Sequence, residues 1–410
     1  MAALVKQAGV PMPQTDPPLT GFTFLDFTQF YQGPYATMML ARAGADVIKI
    51  EPPGGESLRA LAPTGKSGTY AFAALNSNKR AITLNLKSAE GRALLHRLVQ
   101  RADALIENYA PGVMDRLGVG WEALRSSNPC LVYASASGFG LSGPDRDNLA
   151  MDFTIQAASG VMSLTGFADG PPLRTGGPYV DILGGAHLYA ALVTALLQRE
   201  RTGQGRLVEV AMVEAQFAIL TTAIDQYLRT GEVPARTGNA FANHARAPYN
   251  AYPAKDGHVA MILVTEGQWQ NLLRAMGRDD LQGDPRFATN DARVAHYAAT
   301  EALVSGWTTA HTRAEIFVAT SKYKIPCAPV RDIAEIMADP HMHGRGMLEY
   351  AEHHDFGRVV LPNSPLRFHG AAPVPLRISP HIGEHNEAVY GEWLGLAHSE
   401  LNRLRAAGTI

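Results

Sequence analysis

A strand–helix–strand pattern near the start of the chain constrains the fold more than any other feature. Residues 22–27 (FTFLDF) predict a strand, residues 34–43 (PYATMMLARA) predict a helix, and residues 45–51 (ADVIKIE) predict a second strand. Pro34 suits the first turn of a helix, and Gly44 suits the position after its end. A βαβ unit of this kind requires parallel strands and a right-handed crossover. The sequence therefore predicts an α/β fold built on a parallel sheet.

Later apolar runs predict further strands, and polar loops follow several of them. Asn108 comes directly after the run 104–107, and Ser137 follows the run 131–135. Ligands bind at the carboxyl edge of open α/β sheets, so we expect a binding site there, although each loop alone also fits an ordinary turn. The loop after the first predicted strand carries neither G-x-G-x-x-G nor G-x-x-x-x-G-K-[ST], so this βαβ unit does not have the usual dinucleotide or phosphate-loop fingerprint.

The chain has 410 residues, which is too long for one ordinary hydrophobic core. Composition changes after Thr230, where a proline-containing linker begins. We predict that residues 1–230 form the first part of a large domain. Residues 235–350 are predicted to form a smaller domain, and residues 355–410 are predicted to return to the large one.

The charge balance and the cysteine content narrow the function classes. The net charge of −2 favours neither nucleic acid nor an anionic membrane surface, and the apolar runs are short for a membrane span. Two cysteines make no disulfide framework, so we expect a cytoplasmic protein. No H-E-x-x-H motif and no G-x-S-x-G elbow is present, so we expect neither a metal site nor a serine hydrolase.

One acidic residue, Asp181, lies between two glycine pairs in the segment 176–185 (GGPYVDILGG). The apolar segment 187–200 predicts a buried helix directly after it, which places Asp181 in a tight loop. The partial positive charge of a helix N-terminus favours an ionised carboxylate. Asp181 is therefore either a fixed reactive carboxylate or an N-cap residue, and the two roles are compatible.

Several longer stretches together resemble the family III CoA-transferases, the group of formyl-CoA transferase and the carnitine CoA-transferase. The resemblance rests on LDFTQFYQGPYATMMLARAGADVIKIEPPGG, LNSNKRAITLNLKSAEGR, ADALIENYAPGVMDRLG, TGFADGPPLRTGGPYVDILGGAH and RTGQGRLVEVAM, and it extends from residue 21 to residue 410. It implies a Rossmann-like large domain, a smaller α+β domain and an interlocked homodimer. It also implies that the substrates are an acyl-CoA and a small carboxylic acid, with no permanently bound cofactor.

The resemblance assigns roles to individual residues. Asp181 matches the family's nucleophile, which forms an acyl–aspartyl anhydride and then an aspartyl-CoA thioester. With an ordinary pKa near 3.9 it is expected to be ionised at neutral pH. Gly184 and Gly185 are predicted to present close backbone to the substrate. Predicted contacts with CoA come from Tyr31, Gln32, Asn76, Lys79, Arg80, Asn108, Arg116 and Ser137.

Departures from the family pattern bear on the substrate. Formyl-CoA transferase has glutamine at the position of Tyr31, a basic residue at Pro52 and lysine at Ser137, which makes a formyl or oxalyl substrate less expected here. These departures shift the predicted phosphate contacts to Lys79, Arg80 and Arg116. His244 and Arg246 in the linker are candidates to bind a second carboxylate, which favours a dicarboxylate acceptor and succinyl-CoA as donor; a solvated linker is the alternative.

Two other functions fit the same resemblance. An α-methylacyl-CoA racemase shares the implied fold, but its proton-relaying histidine stands at the position of Met151, and methionine cannot carry a proton. A non-catalytic CoA-binding protein is the third possibility, against which the intact Asp181 argues.

Overall fold

The computed structural model describes residues 15–410. They form two compact units. The large unit contains residues 15–155, Gly177–Gln216 and Asp339–Ile410, and the small unit contains Gln156–Gly176 and Phe217–Ala338.

The division differs from the predicted boundaries at 230 and 350. The small unit takes in Gln156–Gly176 because that segment is hydrogen-bonded to the later linker. Gly238 N–H donates to Gly166 O (2.9 Å), and Arg236 Nη2 donates to Gly170 O (2.6 Å). Residues 156–176 were predicted to lie in the large domain because pairings between distant segments leave no local pattern in the sequence.

Eleven strands are present in the described chain. In order they are β1 (Thr23–Asp26), β2 (Asp46–Glu51), β3 (Arg80–Thr83), β4 (Ala104–Glu107), β5 (Val132–Ser137), β6 (Arg206–Ala211), β7 (Tyr249–Ala254), β8 (Gly257–Ile262), β9 (Cys327–Pro329), β10 (Leu348–His353) and β11 (Gly357–Pro362).

The α-helices in the same part of the chain are α1 (Gln32–Arg42), α2 (Ser57–Ala60), α3 (Tyr70–Leu75), α4 (Ala89–Val99), α5 (Val113–Arg116), α6 (Trp121–Ser127), α7 (Asp152–Ala158), α8 (Val161–Leu164), α9 (Tyr179–Thr202), α10 (Met212–Ala215), α11 (Thr221–Thr230), α12 (Glu266–Ala275), α13 (Asn290–Ala295), α14 (Tyr297–Thr308), α15 (Arg313–Lys322), α16 (Ile333–Met337), α17 (Pro340–Gly344) and α18 (His398–Ala406). Short 3₁₀ segments cover Phe217–Leu220, Ala242–His244 and Asp279–Leu281, and a π-helical segment covers Glu387–Trp393.

The large unit is built on a six-stranded sheet in the order β3-β2-β1-β4-β5-β6, and every neighbouring pair is parallel. This is the doubly wound order, in which the strand sequence reverses between β1 and β4. The predicted parallel α/β sheet is confirmed. The reversal point lies between the loops that follow β1 and β4, where such sheets bind ligands.

Alternating side chains of the strands cover the two faces of this sheet with separate cores. On one face Leu25 and Ile48 pack with α4 and with C-terminal residues such as Tyr390. On the other face Phe24 and Val47 pack with α1 and α9. The alternation of neighbouring residues between faces is the two-residue period of a strand, and both faces are buried because helices cover them.

Helix α9 is the longest element and carries Asp181 in its first turn. Its residues Leu188, Leu192 and Leu196 are buried against the sheet. The helix is long and apolar enough to cross a membrane, a property that core helices of globular proteins share. Its packing fixes its N-terminal turn beside the carboxyl edge of the sheet.

The small unit has a three-stranded antiparallel sheet in the order β7-β8-β9. Helices α12, α14 and α15 pack on it around the fully buried Trp269. A third sheet in the described chain is the antiparallel β10–β11 hairpin, which belongs to the large unit.

Candidate active site

The loops after β1 and β4 are joined at the reversal point of the sheet by the side chain of Asn108. Its Oδ1 accepts a hydrogen bond from Gln29 N–H (2.7 Å), and its Nδ2 donates to Gln29 O (2.9 Å). Asn108 therefore holds the two loops in register. Asn108 was predicted to contact CoA. Its amide oxygen and nitrogen are instead hydrogen-bonded to the loop after β1, although the residue lines the cavity described next.

A cavity of about 180 Å³ opens at this edge of the sheet. It is lined by residues from the loops after β1, β4 and β5, by Met212 at the start of α10, and by the first turn of α9. Its polar lining residues are Gln32, Asn108, Tyr109, Ser137, Arg146, Asn148, Asp152 and Asp181. The topology thus brings segments from the whole first half of the chain to one point.

Asp181 is the third residue of α9, which begins at Tyr179. The prediction that Asp181 lies in a loop, with a helix starting at residue 187, is wrong because Gly184 and Gly185 lie within the helix. Asp181 is not the N-cap residue either, since Pro178 occupies that position. Among the described residues, no side chain or backbone group donates a hydrogen bond to the Asp181 carboxylate, which leaves it free to react.

The carboxylate that caps α9 belongs to Asp152. Its Oδ2 accepts hydrogen bonds from the backbone N–H groups of Val180 (2.7 Å) and Asp181 (3.2 Å), which satisfies two free donors of the first turn. Asp152 therefore places a second carboxylate beside Asp181. Asp152 was not among the predicted site residues, because its only local signal is that it is the one acidic residue of the largely apolar segment 151–166.

The two carboxylates share a poorly solvated site, and this changes the expected charge of Asp181. Burial, followed by the charge of Asp152, raises the pKa of Asp181 to about 7. The prediction of an ordinary, fully ionised carboxylate is therefore wrong. Desolvation and the like charge of Asp152 raise the pKa by more than the partial positive charge of the helix N-terminus lowers it. A carboxylate with a pKa near 7 is a better nucleophile once it has lost its proton, and perturbed groups in clefts are typical of active sites.

Gln32 lies in the first turn of α1 and lines the same cavity. The residue is buried, and its Nε2 has no hydrogen-bond partner among the described residues. A buried amide without a partner costs free energy, so the amide is available to donate to an oxygen atom of a bound substrate.

The two glycines of α9 allow α1 to approach. A Cβ at Gly184 would lie 2.9 Å from Gln32 Nε2, and a Cβ at Gly185 would lie 2.4 Å from Gln32 O. Both glycines are buried inside the helix, where their N–H groups serve helical hydrogen bonds. The prediction that they present backbone to the substrate is corrected: they make room for Gln32.

Lys79 was predicted to contact a CoA phosphate, but its ammonium group lies inside the large unit. It is fully buried and donates to Asp26 Oδ2 (2.9 Å), Thr37 Oγ1 (2.7 Å) and Asn76 Oδ1 (2.8 Å). An ammonium group has three donors, and all three are used here. Lys79 and the equally buried Asn76 therefore support the fold, which corrects both predicted contacts.

Arg80 is the first residue of β3. It forms a bidentate ion pair with Asp46, the first residue of β2. Both strands run away from this end, so Arg80 lies at the edge of the sheet opposite to Asn108 and Ser137. The predicted contact of Arg80 with CoA is therefore corrected by the direction of the strand.

Two arginines converge on Gly112, just after β4. A Cβ at Gly112 would lie 3.2 Å from Arg116 Nη1 and 3.7 Å from Arg146 Nη2. Arg116 was a predicted CoA contact, and it is exposed. Arg146 was missed because it lies in a polar loop without a local motif, and it lines the cavity that contains Asp181.

Two other predicted CoA contacts, Ser137 and Tyr31, lie at or next to the cavity that contains Asp181. Ser137 lines the cavity, and its Oγ accepts a hydrogen bond from Gly140 N–H (2.9 Å), which shapes the loop after β5. Tyr31 is half-buried and directly precedes α1, while its neighbours Phe30 and Gln32 line the cavity. Met151 also lines it, with 57% of its surface exposed.

The candidates for binding a second carboxylate lie in the small unit. His244 is exposed and contacts Tyr297 edge-on, with 4.7 Å between ring centroids. Arg246 Nη1 donates to Val264 O (3.3 Å), and its guanidinium lies over the ring of Phe241. Among the described residues, the His244 ring has no hydrogen-bond partner and the Arg246 guanidinium has this one, so both side chains offer donors to a ligand.

A group of possible metal ligands lies elsewhere in the large unit. One ligand atom from each of His353, His354 and Asp355 lies within 4.8 Å of the others. Both ring nitrogens of His353 already have partners: Nδ1 accepts from Asp355 N–H (3.1 Å), and Nε2 contacts Ser379 Oγ (3.0 Å). The group is therefore organised by its own hydrogen bonds.

Comparison with known proteins agrees with this geometry. A family model described as CoA-transferase family III matches residues 19–386. The chain is 35% identical over 396 residues to succinyl-CoA–D-citramalate CoA-transferase of Chloroflexus aurantiacus, covering 96% of this chain and 98% of that protein. It is 37% identical over 408 residues to formyl-CoA:oxalate CoA-transferase of Streptomyces coelicolor, covering 96% and 99%.

A solved structure of a CaiB/BaiF family protein from Brucella suis is similar throughout. It has a TM-score of 0.83 and 34% sequence identity, and the match covers 92% of this chain and all of that one. The family match, the full-length relatives and the shared fold lead to one conclusion: this chain belongs to CoA-transferase family III and is a CoA-transferase.

Proposed function

We propose that the protein moves CoA from an acyl-CoA to a carboxylic acid and that Asp181 is the nucleophile. One observation carries this proposal. The Asp181 carboxylate accepts no hydrogen bond from the described residues, and it lines a small cavity at the reversal point of a doubly wound sheet. A carboxylate used only for structure would be expected to have hydrogen-bond partners, as Asp152 has.

The proposed reaction passes through two kinds of covalent intermediate. Asp181 attacks the thioester carbonyl of the donor, which expels CoA thiolate and leaves an acyl–aspartyl anhydride. The thiolate then attacks the aspartyl carbonyl, releases the donor acid and forms an aspartyl-CoA thioester. The acceptor carboxylate displaces CoA to give a second anhydride, and the thiolate attacks its acyl carbonyl. The product acyl-CoA leaves, and the Asp181 carboxylate is restored.

Each tetrahedral intermediate places negative charge on an oxygen atom beside Asp181. The unpaired Nε2 of Gln32 is the proposed donor to that oxygen. The limited volume of the cavity restricts water, which would otherwise hydrolyse an anhydride. The raised pKa of Asp181 fits the same environment, because a site that excludes water also disfavours charge.

We further propose that the acceptor is a dicarboxylate and that succinyl-CoA is the donor. The relative from Chloroflexus aurantiacus is named for succinyl-CoA and D-citramalate, both of which carry an additional carboxylate. Among the described residues that line the cavity, Arg146 is the one with a positive charge, and the other charged ones are Asp152 and Asp181. A guanidinium in this place suits the second carboxylate of the acceptor, whereas Arg116 outside the cavity suits a CoA phosphate.

Steady-state kinetics test the substrate assignment. Succinate, malate, citramalate and itaconate are compared with acetate, butyrate, oxalate and formate, with succinyl-CoA as donor. We expect Arg146→Gln to raise the acceptor KM far more than the donor KM, by roughly tenfold or more for one charge-assisted pair. Arg246→Gln and His244→Gln test the alternative binding site for the second carboxylate in the small unit. A larger effect of Arg146→Gln on the KM for succinyl-CoA would assign Arg146 to the CoA phosphates instead.

The assembly is also a proposal. We propose an interlocked homodimer, as the family resemblance implies. The chain passes between its two units four times, at residues 155–156, 176–177, 216–217 and 338–339, and this discontinuous course supports the proposal.

A further inference from the structure

A second cavity lies in the large unit, apart from the cavity that contains Asp181. Its volume is about 460 Å³, within the range of small-molecule sites. Apolar walls come from prolines, Leu366 and Phe368, and the charged lining residues are Arg42, Arg345, Arg367 and Glu349. The proposed reaction uses none of these residues.

Arg42 ends α1, and its side chain has no exposed surface. Its Nε and Nη1 form no hydrogen bond with any residue of the described chain, and its Nη2 makes one long bond to Pro362 O (3.4 Å). A guanidinium offers five N–H donors and stays charged in proteins. A buried cation with so few partners is costly unless an anion completes its shell.

Glu349, the one carboxylate among the described residues that line this cavity, does not complete that shell. Glu349 Oε1 lies 3.5 Å from Arg42 Nη1, beyond the usual range for a charge-assisted hydrogen bond, and it accepts from Asn363 Nδ2 (2.6 Å). Three arginines face one glutamate, so the lining carries an excess of two positive charges. Residues 1–14 contain no Asp or Glu that would supply a second carboxylate.

We propose that this cavity binds a small anionic ligand whose carboxylate or phosphate group is held by Arg42, with Arg345 and Arg367 at its mouth. Arg367 is already oriented, because its Nη1 donates to Ser364 O (3.0 Å) and its Nη2 to Arg345 O (3.0 Å). The apolar walls accommodate the remainder of the ligand. Arg42 lies at the C-terminal end of α1, whereas Gln32, which lines the Asp181 cavity, lies at the N-terminal end, so an occupant here is a different molecule from the transferred acid.

Titration calorimetry on the full-length, CoA-saturated protein tests the site. Sodium phosphate and sodium succinate are titrated separately at constant ionic strength, so that non-specific screening stays fixed. Succinate is also expected at the Asp181 cavity, so we expect either saturable binding of phosphate or one succinate site more than that cavity provides. The anion that fills the additional site identifies the group that it prefers. Arg345→Gln should weaken this binding severalfold, and Arg42→Met should weaken it at least about tenfold.

Two further variants separate a ligand site from a structural ion pair. Glu349→Gln removes the negative charge and should tighten anion binding, whereas a residue that only pairs with Arg42 would merely destabilise the fold when changed. Arg125→Gln, an exposed arginine on α6, is the control and should leave binding unchanged. If Arg42→Met does not fold, the anion affinities of Arg345→Gln and Glu349→Gln test the proposal without it. The proposal is overturned if phosphate does not bind saturably and succinate fills no site beyond the Asp181 cavity, or if Arg345→Gln and Glu349→Gln bind both anions as the wild type does.

Discussion

Replacing Asp181 by asparagine should abolish transfer and at the same time stabilise the protein above neutral pH. Asparagine has nearly the same shape but cannot form an anhydride, so kcat should fall by at least about 10³-fold. The gain in stability has a separate cause, because burial and Asp152 make the charged form of Asp181 unfavourable in the folded state.

The size and the pH range of this gain follow from the pKa values. Below pH 3.8 the carboxyl is protonated in both the folded and the unfolded chain and contributes nothing. Between 3.8 and about 7 the unfolded chain loses the proton while the folded one keeps it, so stability falls as the pH rises. The interval of about 3 pH units corresponds to roughly 4 kcal/mol at most, and partial exposure of the side chain reduces our expectation to roughly 1–3 kcal/mol.

Scanning calorimetry at pH 4 and pH 8 measures the effect. We expect Asp181→Asn to match the wild type at pH 4 and to unfold a few degrees higher at pH 8. The matched control is Asp291→Asn, an exposed carboxylate in the first turn of α13, which should not gain stability. Equal midpoints of Asp181→Asn and wild type at pH 8 would refute the argument from desolvation, and retained transfer would refute the nucleophile.

Three further results are expected. Asp152→Asn keeps an oxygen that can cap α9 but removes the negative charge beside Asp181. The acidic limb of the pH profile of kcat/KM, expected near pH 7, should therefore move to lower pH. A limb that does not move would show that it does not report the ionisation of Asp181 beside Asp152. Lys79→Met leaves Asp26 buried without its cation and should cost roughly 3–5 kcal/mol in urea unfolding, and normal stability with a raised KM for CoA would restore the phosphate role. Light scattering should show a dimer that persists on dilution, and an active monomer at micromolar concentration would contradict interlocking.

The local elements near the start of the chain were predictable because each carries its own pattern. The predicted strand, helix and strand at 22–51 correspond to Thr23–Asp26, Gln32–Arg42 and Asp46–Glu51. Apolar runs of buried strands, a first-turn proline and a terminal glycine are properties of adjacent residues. The strands and the parallel sheet therefore followed from the sequence.

The environment of charged residues was not predictable in this way. In the sequence, Lys79 looks like a solvated binding residue. In the structure it is buried, where its ammonium group is paired with Asp26, which lies 53 residues earlier. The pKa of Asp181 depends on Asp152, 29 residues earlier, and on the burial that α1 and α9 create together. The low helix propensity of Gly184 and Gly185 suggested a loop. Both lie inside a helix, where the close approach of Gln32 leaves no room for a larger side chain.

The most direct test of the central claim is to trap the covalent intermediate on Asp181. The protein is incubated with succinyl-CoA and then with hydroxylamine, and its peptides are analysed by tandem mass spectrometry, with Asp152→Asn as a variant that retains the nucleophile. We predict a hydroxamate at Asp181, formed only when acyl-CoA is present and absent from Asp181→Asn. A hydroxamate at another residue, or undiminished turnover with Asp181 unmodified throughout, would contradict it.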